Sequence, residues 1–506
     1  MKKLVSLVLT LSMLFTLALC TGVPAMAQET PEPITFTIFI DHSWYPVETF
    51  TGIIPEEITR LTGVTLDPTI AIDAEQLGVM IATGELPDLV YTQNMIDRMS
   101  DADVSYSYED LIAEYGIDWN ISEKQLGIGR GFSTDGKAYS ILNHYSEKAD
   151  WADVTGAAPM VGSLILRGDL LDALGNPSLG SFDDLFSVFG QVKAAYPDVV
   201  PLKLNTDWNV LTFRYLQGMG GLDFIEQPDG SYVHYSETET YKDILLWLNE
   251  CYRAGYIESD DPYFVRGSTA IAQDKFFANA NCTQNTLPGI NGDLWQVDSS
   301  FYAIEMPPFE VSNYSTSNLG WSATMITKSC KDPKRALEFI AWMFSPEAQK
   351  LTQMGREGID YTVNEAGLPV FSEDWVAAID AGSSMHNKIY NPWFYLGGSD
   401  VVEAITRCAT TDQKYVGEAY AIMSERFDNL PWINAGQPVG DIDEKVILDK
   451  IKELSASYDK RIILADTAEA AQALYDEYLS NAGRTGISTL DEYVSGKITE
   501  VMPLYQ

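Results

Sequence analysis

The sequence IATGELPDLVYT at residues 81–92 decides the fold that we predict for this chain. Gly84 suits the left-handed position just after a helix end, and Pro87 cannot continue a helix. Leu89 and Val90 then form a short apolar run that is typical of a buried strand. Together these signals predict a helix, a turn and a strand, which is the repeating unit of an α/β fold.

Two predicted strands are followed directly by polar and aromatic side chains. Residues 34–40, ITFTIFI, alternate as a strand does, and Asp41, His42 and Trp44 come next. Tyr91 follows the apolar run of the first stretch in the same way. Ligands of open α/β sheets bind at the carboxyl ends of the strands, so these four side chains are predicted to face a ligand cleft. The alternative is an ordinary helix–turn–strand unit with a polar loop.

Length and charge restrict the class of protein. The chain has 506 residues, which is more than one hydrophobic core holds and predicts two domains. Its formal net charge is −39, with 33 basic and 72 acidic residues. A field of this sign repels nucleic acid and anionic membranes, so neither is expected as a partner. The alternative interpretation is that the acidity serves solubility alone.

Residues 1–27 have the features of an export signal. Two lysines precede the apolar residues 4–19, and AMA at 25–27 fits a cleavage site. No other apolar stretch of the sequence is long enough to span a bilayer. Lipid attachment at Cys20 is an alternative to free secretion, although Leu19 is larger than the residue expected before a lipid-modified cysteine.

The remaining cysteines do not form a metal-binding motif. They are far apart and make no C-x-x-C pair, so a zinc site is not expected. In an exported protein they form up to two disulfides or stay buried as free thiols. These residues are Cys251, Cys282, Cys330 and Cys408.

Catalysis is the competing class of function. The histidines make no H-x-x-x-H or H-E-x-x-H pattern, and the chain has neither a G-x-S-x-G elbow nor a Walker loop. Calcium binding is an alternative for one acidic group, but it lacks EF-hand spacing, and a solvated acidic face explains it as well. This group comprises Asp101, Asp103, Glu109 and Asp110. We therefore predict a protein without catalytic residues, cofactor or metal site.

Several motifs, in the right order, resemble extracellular solute-binding protein family 1, whose members feed bacterial ABC importers. TGELPDLV at 83–90 resembles the G-x-x-PD signature of its sugar-binding group. DGKAY at 135–139 is similar to the strand that crosses between domains, although Asn143 and His144 stand where relatives have a proline. SCKDPKRALEFIAWMFSPEAQKLTQMGREGIDY at 329–361 is similar to the longest family signature. The chain length is like that of the lipoprotein-type subgroup.

The resemblance implies a two-lobed periplasmic-binding-protein fold of type II, with a hinge and a central ligand cleft. The chain is expected to cross between lobes at 139–145 and 303–308, and its C-terminal helices are expected to complete the second lobe. The implied division is a signal at 1–27, lobe 1 at 28–142 and 303–360, and lobe 2 at 143–302 and 361–506.

Tryptophans next to predicted strand ends indicate a carbohydrate ligand. Sugar rings present C–H faces that lie flat on an indole, while their hydroxyls take hydrogen bonds from Asp, Asn and Arg side chains. Trp247 and Trp342 lie on amphipathic helices and are expected in the core, and a structural ion pair is the alternative for Arg214. The predicted ligand-binding residues are Asp41, His42, Trp44, Tyr91, Asp207, Trp208, Asn209, Arg214, Trp295, Trp321, Trp393 and Tyr395.

These features predict a binding protein that captures a carbohydrate, and first of all an oligosaccharide, by closing two lobes. The expected partners are this solute and the membrane subunits of an ABC importer. The expected form is a monomer, exported and held at the outer face of the cell membrane or secreted. A peptide or another small solute on the same fold is the alternative, followed by a secreted glycan-active enzyme.

Overall fold

The computed structural model describes residues 32–154, 156–204, 209–258, 275–365, 367–381, 383–392, 395–409, 412–440 and 442–505. Helices and strands alternate through the first two thirds of this chain, and helices dominate the rest. The strands in chain order are β1 (Ile34–Ile40), β2 (Val64–Ile70), β3 (Leu89–Thr92), β4 (Gly162–Arg167), β5 (Val200–Leu204), β6 (Phe224–Glu226), β7 (Tyr232–His234), β8 (Phe276–Cys282), β9 (Ala303–Glu305), β10 (Ala323–Ile326), β11 (Tyr361–Val363) and β12 (Pro369–Phe371).

The helices are short in the first part of the chain and longest at its C-terminal end. In chain order they are α1 (Ile53–Thr62), α2 (Gln76–Thr83), α3 (Ile96–Met99), α4 (Tyr108–Tyr115), α5 (Glu123–Arg130), α6 (Gly168–Ala173), α7 (Phe182–Ala195), α8 (Asn209–Leu216), α9 (Glu239–Arg253), α10 (Thr283–Val297), α11 (Pro333–Met343), α12 (Pro346–Met354), α13 (Glu373–Asp380), α14 (Ser383–Ile389), α15 (Asp400–Cys408), α16 (Ala419–Glu425), α17 (Pro431–Ala435), α18 (Asp443–Ile463), α19 (Ala468–Thr485) and α20 (Ile487–Val501). Short 3₁₀ turns lie at Lys148–Trp151, Tyr235–Glu237, Tyr395–Gly397, Gln413–Tyr415 and Met502–Leu504.

Lobe 1 is the part of the molecule built around the sheet β10-β3-β1-β2. β1 runs parallel to β2 and β3, whereas β10 is antiparallel to β3. Helices on the sheet bury its apolar side chains, and Phe36, Ile54 and Leu337 share one core. All four residues of β3 are buried, because the strand is covered on both faces. Such a strand consists mainly of apolar residues.

Lobe 2 is built around the sheet β5-β8-β4-β9. β5 is parallel to β8, and β4 is antiparallel to both β8 and β9. Gly162 at the start of β4 pairs with Cys282 at the end of β8, and Glu305 at the end of β9 pairs with Ile165. The chain therefore enters β4 and leaves β9 at one edge, which we call the hinge-side edge of lobe 2. The end of β5 lies at the same edge, because Leu204 pairs with Ala280.

Local sequence signals set the helix ends as predicted. Gly84 follows α2 with φ of 72°. The Ser181 side chain accepts a hydrogen bond from the backbone N–H of Asp184 at the start of α7. Asp332 caps α11 in the same way, and Pro333 occupies its first position. Ser181, Asp332 and Pro333 each satisfy or remove an N–H that a helix start leaves unpaired.

The return from lobe 2 to lobe 1 lies later than the sequence predicts. Residues 303–305 form β9, which pairs with β4 inside lobe 2. Met306 and Phe309 then pack in the core of lobe 2, and Leu319 is the residue that packs in a core of lobe 1. The predicted boundary at residue 303 is corrected accordingly, because these residues complete a sheet of lobe 2 before the chain leaves it.

The prediction that all of 361–506 belongs to lobe 2 is also corrected. Trp375, Tyr390 and Leu396 pack in the core of lobe 1 with β1 and α11. The chain returns to lobe 2 only with α15, where Ala404 packs in a core of that lobe. Amphipathic periodicity shows that a helix buries one face, but it does not show which lobe covers that face.

The long C-terminal helices pack on lobe 2. Ile451 of α18 and Tyr475 of α19 pack with Leu245 and Trp247 of α9 in its largest core. The last described residue, Tyr505, then packs in a core of lobe 1. In the part of the chain that the structure describes, no helix combines the length and the hydropathy needed to cross a membrane.

Candidate ligand-binding site

The carboxyl ends of β1, β2 and β3 meet at one edge of lobe 1. The backbone N–H of Asp41 donates to the carbonyl of Tyr91 at 2.9 Å, and that of Ala71 donates to the carbonyl of Ile40 at 2.9 Å. β1 is parallel to both neighbours, so the three strands end together. This cleft edge of lobe 1 is the position at which open α/β sheets bind ligands.

Four rings pack together at this edge, and we call them the aromatic cluster: His42, Trp44, Tyr91 and Trp321. The His42 imidazole stacks on Trp321 with centroids 5.5 Å apart and 6° between the planes. It also stacks on Trp44 at 5.1 Å, and Tyr91 meets it edge-on at 5.4 Å. Tyr91 is fully buried, whereas Trp44 is 46% exposed. The cluster therefore holds one exposed indole on a buried base.

His42, in the middle of the cluster, is neutral. Burial lowers its pKa to about 4, so the imidazole carries no charge at pH 7. Its Nε2 is buried and has no hydrogen-bond partner among the described residues. A neutral imidazole packs against both indoles without the large cost of burying an unpaired charge.

Asp41 provides a buried carboxylate beside the cluster. Its Oδ2 accepts a hydrogen bond from Thr92 Oγ1 at 2.7 Å. Burial raises the pKa of Asp41, and the hydrogen bond from Thr92 opposes this shift. Thr92 Oγ1 also accepts from the backbone N–H of Asn94 at 3.2 Å. Asp41 therefore ties the end of β1 to the exposed polar residues that follow β3.

Trp321 is held in place by residues that the sequence analysis did not assign to the site. Its Nε1 donates to Gln93 Oε1 at 2.9 Å, and its backbone N–H donates to the carbonyl of Asn143 at 2.9 Å. Asn143 Nδ2 donates to the Tyr91 hydroxyl at 3.2 Å, and its Oδ1 accepts from the N–H of Ser322 at 2.9 Å. Asn143 stands where relatives have a proline, and this difference is the signal that could have identified it. Unlike proline, it has a side-chain amide, which here binds Tyr91 and Ser322.

Three predicted ligand residues follow β5 in lobe 2. Asp207 and Trp208 lie outside the described residues, and so does the side chain of Asn209, the first residue of α8. β5 ends at the hinge-side edge of lobe 2. A ligand role for these residues stays a prediction.

Arg214 lies inside lobe 2. Its guanidinium carbon lies over the ring of Tyr235, 3.8 Å from the centroid, and its Nη2 donates to the carbonyl of Leu222. The side chain is buried. These contacts hold Arg214 inside lobe 2, and a ligand role for it stays a prediction.

Trp295 lies away from the hinge-side edge of lobe 2. α10 begins directly after β8, which ends at that edge, and Trp295 stands in its last turn, roughly 18 Å along the helix axis. Its ring packs beside Tyr415 with centroids 6.2 Å apart, and 45% of the residue is exposed. The structure does not bring Trp295 to the aromatic cluster.

The last two predicted residues belong to the aromatic loop after α14. Trp393 lies outside the described residues, and the side chain of Tyr395 does as well. Just before them, Asn391 Nδ2 donates to the carbonyl of Thr49 at 2.8 Å, so this loop begins on lobe 1 near the end of β1. A ligand role for both residues stays a prediction.

The acidic group at 101–110 contains two carboxylates with basic partners. Glu109 pairs with Arg130 at 2.5 Å, and Asp110 pairs with Lys137 at 2.7 Å. Nowhere in the described ranges do three or more His, Cys, Asp or Glu side chains form a group that could hold a metal ion. These two carboxylates therefore serve ion pairs within lobe 1.

The described cysteines are free thiols rather than disulfides. Burial raises the pKa of Cys330 to about 12 and that of Cys408 to about 11, so both are protonated at pH 7. The side chain of Cys282 lies outside the described residues. The free and buried cysteines are Cys251, Cys330 and Cys408.

The sequence matches one family model over most of its length. A model described as bacterial extracellular solute-binding protein covers residues 60–365. This range contains β3, most of both sheets and the long motif at 329–361. No curated protein matches the chain.

Solved structures of solute-binding proteins share the fold over nearly the whole chain. The alginate-binding protein AlgQ2 is 17% identical with a TM-score of 0.67, covering 93% of this chain and 99% of that one. An HMO-binding, ABC-transporter-associated solute-binding protein from Bifidobacterium longum infantis is 12% identical with a TM-score of 0.67, covering 94% and 99%. The N-glycan transport protein NgtS from Streptococcus pneumoniae is 15% identical with a TM-score of 0.61, covering 94% and 100%. At these identities the likeness establishes the two-lobed fold.

Proposed function

The chain belongs to the bacterial extracellular solute-binding protein family, and from this premise we propose that it captures an oligosaccharide and delivers it to an ABC importer. Structures with the same fold are, by their names, binders of alginate, HMO and N-glycan. The observation that carries the proposal is the aromatic cluster, which presents an exposed indole at the cleft edge of lobe 1. A ring of this kind is the surface on which the C–H face of a sugar packs.

The residues around Trp44 suit a sugar in composition as well as in shape. Gln93 and Asn94 are exposed at the end of β3, next to the carboxylate of Asp41. A sugar hydroxyl both donates and accepts hydrogen bonds, and amides and carboxylates together offer both partners. An apolar face with a few polar groups at its rim is the usual composition of a small-molecule site.

Capture is proposed to occur by closure of the two lobes. The first crossing connects the cleft edge of lobe 1, where Leu142 bridges to Ala323, with the start of β4 at the hinge-side edge of lobe 2. A solute that contacts both edges binds the closed arrangement more tightly than the open one and shifts the population toward it. The closed form is then recognised by the membrane subunits of the importer, and we propose that the protein acts as a monomer.

We propose that the protein performs no reaction on its solute. His42, the histidine of the aromatic cluster, has a pKa of about 4 and packs against two indoles, which does not suit proton transfer at pH 7. Burial also lowers the pKa of His234 to about 3 and that of His386 to about 4. Incubation with oligosaccharides should release no reducing sugar. Product that disappears in Asp41→Asn would identify a glycan-active enzyme instead.

We propose that the mature protein is exported and works outside the cell membrane. Residues 1–27, including Cys20, lie outside the described residues, so this part of the proposal rests on the sequence. The mass of the mature protein separates the two forms of attachment. The mass of a chain that starts at Gln28 supports free secretion. The mass of a chain that starts at Cys20 and carries a diacylglyceryl group supports a lipid anchor.

Thermal unfolding with a panel of solutes tests the proposed ligand class. The panel contains alginate oligosaccharides, N-glycan oligosaccharides, short peptides and polyamines. A solute at 100 times its dissociation constant adds about 2.7 kcal/mol to the stability of the lobes that hold it. We expect a rise in melting temperature of several degrees with one oligosaccharide class and none with the others. A rise with peptides or polyamines alone would overturn the carbohydrate assignment.

A further inference from the structure

His144 connects the first crossing segment, the segment before α15 and the aromatic cluster. It is buried, and its φ of 54° lies in the left-handed region, which residues other than glycine rarely adopt. Its backbone N–H donates to the carbonyl of Gly398 at 2.8 Å. Its imidazole meets the indole of Trp321 edge-on, with centroids 5.6 Å apart and 78° between the planes. One side chain therefore touches the cluster from the hinge.

A carboxylate of α15 holds this imidazole. Nε2 of His144 lies 2.9 Å from Oε2 of Glu403, and Arg407 pairs with the other oxygen of Glu403. Asp400 on the same helix accepts a hydrogen bond from Ser146 Oγ at 3.3 Å. Glu403, Asp400 and Arg407 are the charged groups of the described residues that act on His144.

We propose that His144 is a positioning residue that fixes the indole of Trp321 within the aromatic cluster on which the solute packs, and that loss of its proton weakens solute binding. This inference rests on the proposed function and adds a residue and a pH response to it. His144 is buried and lies beside Trp321, with ring centroids 5.6 Å apart. The imidazole therefore acts on the solute through Trp321 and not by contact.

The imidazole has little room to move. A methyl group added at Gly398 would overlap the ring of His144, so the glycine leaves only enough space for the ring as it stands. On its other side the ring lies against Trp321, whose backbone is tied to Asn143, the residue before His144. An imidazole that is held between the backbone of Gly398 and the carboxylate of Glu403 also fixes the indole of Trp321 that it contacts.

The charge of His144 determines the direction of the pH response. Burial alone would lower the pKa of His144, but the hydrogen bond and the charge of Glu403 raise it above the ordinary 6.5. Burial favours the neutral form of Glu403 as well, yet Arg407 and His144 hold its pKa at about 2, so Glu403 stays ionised. The ion pair is therefore complete below pH 6.5 and is lost as the pH rises through the folded-state pKa of His144.

Asp400 changes charge in the same direction. Burial raises its pKa to about 7 although the charge of His144 opposes this shift, so Asp400 becomes negative as the pH rises through neutrality. Both changes add negative charge to a buried group of side chains at the hinge. Binding is therefore expected to weaken as the pH rises and not as it falls.

Hydrogen exchange of the Trp321 backbone amide tests the positioning role without any solute. This N–H donates to the carbonyl of Asn143. After correction for intrinsic rates, we expect exchange to become about tenfold faster between pH 6 and pH 9 in the wild type. In His144→Asn it should be fast at both pH values, and Asn is chosen because it tolerates the left-handed backbone. An amide that responds neither to pH nor to His144→Asn would overturn the proposal.

Solute binding tests the pH response. The probe is the alginate or N-glycan oligosaccharide that raises the melting temperature most. We expect its dissociation constant to rise about tenfold from pH 6 to pH 9 in the wild type. Glu403→Gln keeps the shape of the side chain but removes the group that raises the pKa of His144, so binding should already be weak at pH 6 and should change less with pH than in the wild type. A Glu403→Gln variant with the wild-type pH dependence would overturn the proposal.

Two further variants keep the outcomes separate. Glu109→Gln breaks the ion pair with Arg130 elsewhere in lobe 1 and should bind the probe as the wild type does at both pH values. Gly398→Ala displaces the imidazole without changing any charge, and it should weaken binding at pH 6 even if His144→Asn does not fold. Unchanged binding by Gly398→Ala would contradict the positioning role. If no oligosaccharide binds while the Trp321 amide responds as expected, the proposed function fails and the positioning role stands.

Discussion

Trp44 and Trp295 are almost equally exposed, at 46% and 45%, yet they stand in opposite surroundings. Trp44 stacks on His42, which stacks in turn on Trp321, at the carboxyl end of a parallel strand. Trp295 lies at the far end of α10, where its ring packs beside Tyr415 among the described residues. Exposure of an indole therefore does not by itself indicate a binding residue, and the difference lies in what holds the ring.

A ring that is fixed before binding loses little conformational freedom when a solute arrives. Trp44 stacks on His42, and His42 stacks on Trp321. Hydrogen bonds to Gln93 and Asn143 hold Trp321 in place. The edge of lobe 1 therefore presents a rigid apolar face next to polar groups. The end of α10 offers an apolar ring that, among the described residues, packs beside a single tyrosine instead of such a stacked cluster.

The largest expected effect is the loss of binding in Trp44→Ala, compared with Trp295→Ala. Removing the central aromatic residue of a binding site costs about 3 kcal/mol, which corresponds to a dissociation constant more than 100-fold higher. Trp295→Ala should change the constant by less than about twofold, because it lies outside the site. Calorimetric titration with the oligosaccharide found in the thermal panel measures both. Equal losses in the two variants would remove the distinction between the two tryptophans.

The second effect concerns the ring beneath Trp44 and depends on pH. The pKa of His42 is lowered to about 4, so between pH 6.5 and pH 4 the unfolded chain takes up a proton that the folded chain does not. Stability therefore falls with pH over this window, by about 2 kcal/mol from this residue. His42→Phe keeps a ring for stacking and cannot be protonated, so it should lose less stability on acidification. Urea unfolding of both proteins at pH 7 and pH 4.5 measures how much stability each loses on acidification. Equal losses in the wild type and His42→Phe would contradict the neutral stacked imidazole.

The sequence predicted the elements of lobe 1 because their signals are local. Gly84, Pro87 and the apolar run after them set a helix end, a turn and a strand within a dozen residues. The position of Asp41, His42 and Trp44 followed from the rule for strand ends. Trp321 was predicted from its polar surroundings, and the structure brings it to the same cluster.

The predictions that needed long-range information were the weaker ones. Trp295 has the same polar surroundings in sequence as Trp321, and only the direction of α10 separates them. The lobe boundaries failed for the same reason, since Trp375 belongs to a core that it shares with residues far earlier in the chain, such as Ile54. Asn143 and His144 depend on contacts with Tyr91 and Glu403 that no spacing rule joins.

The third effect separates the stacking of Trp321 from its hydrogen bond. Trp321→Phe keeps an aromatic face over His42 but removes the Nε1 donor to Gln93. A hydrogen bond of this kind contributes about 1 kcal/mol, so the dissociation constant should rise about fivefold. Gln93→Ala should have a similar effect, and the double variant should add little to either, because both remove the same bond. Additive losses in a double-mutant cycle would show that the bond does not orient the ring.

The smallest expected effect is the difference in stability between Trp44→Ala and Trp295→Ala. The two side chains bury nearly equal fractions of their surface, so each substitution should lower the free energy of unfolding of its own lobe by about 1 kcal/mol. The two losses should agree within about 0.5 kcal/mol, although the binding losses differ by more than 100-fold. Urea titrations followed by circular dichroism can measure both, with the two lobes fitted as separate transitions. A Trp44→Ala protein that is several kcal/mol less stable than Trp295→Ala would attribute its weak binding to a damaged lobe. Similar stabilities would leave the fixed indole as the cause.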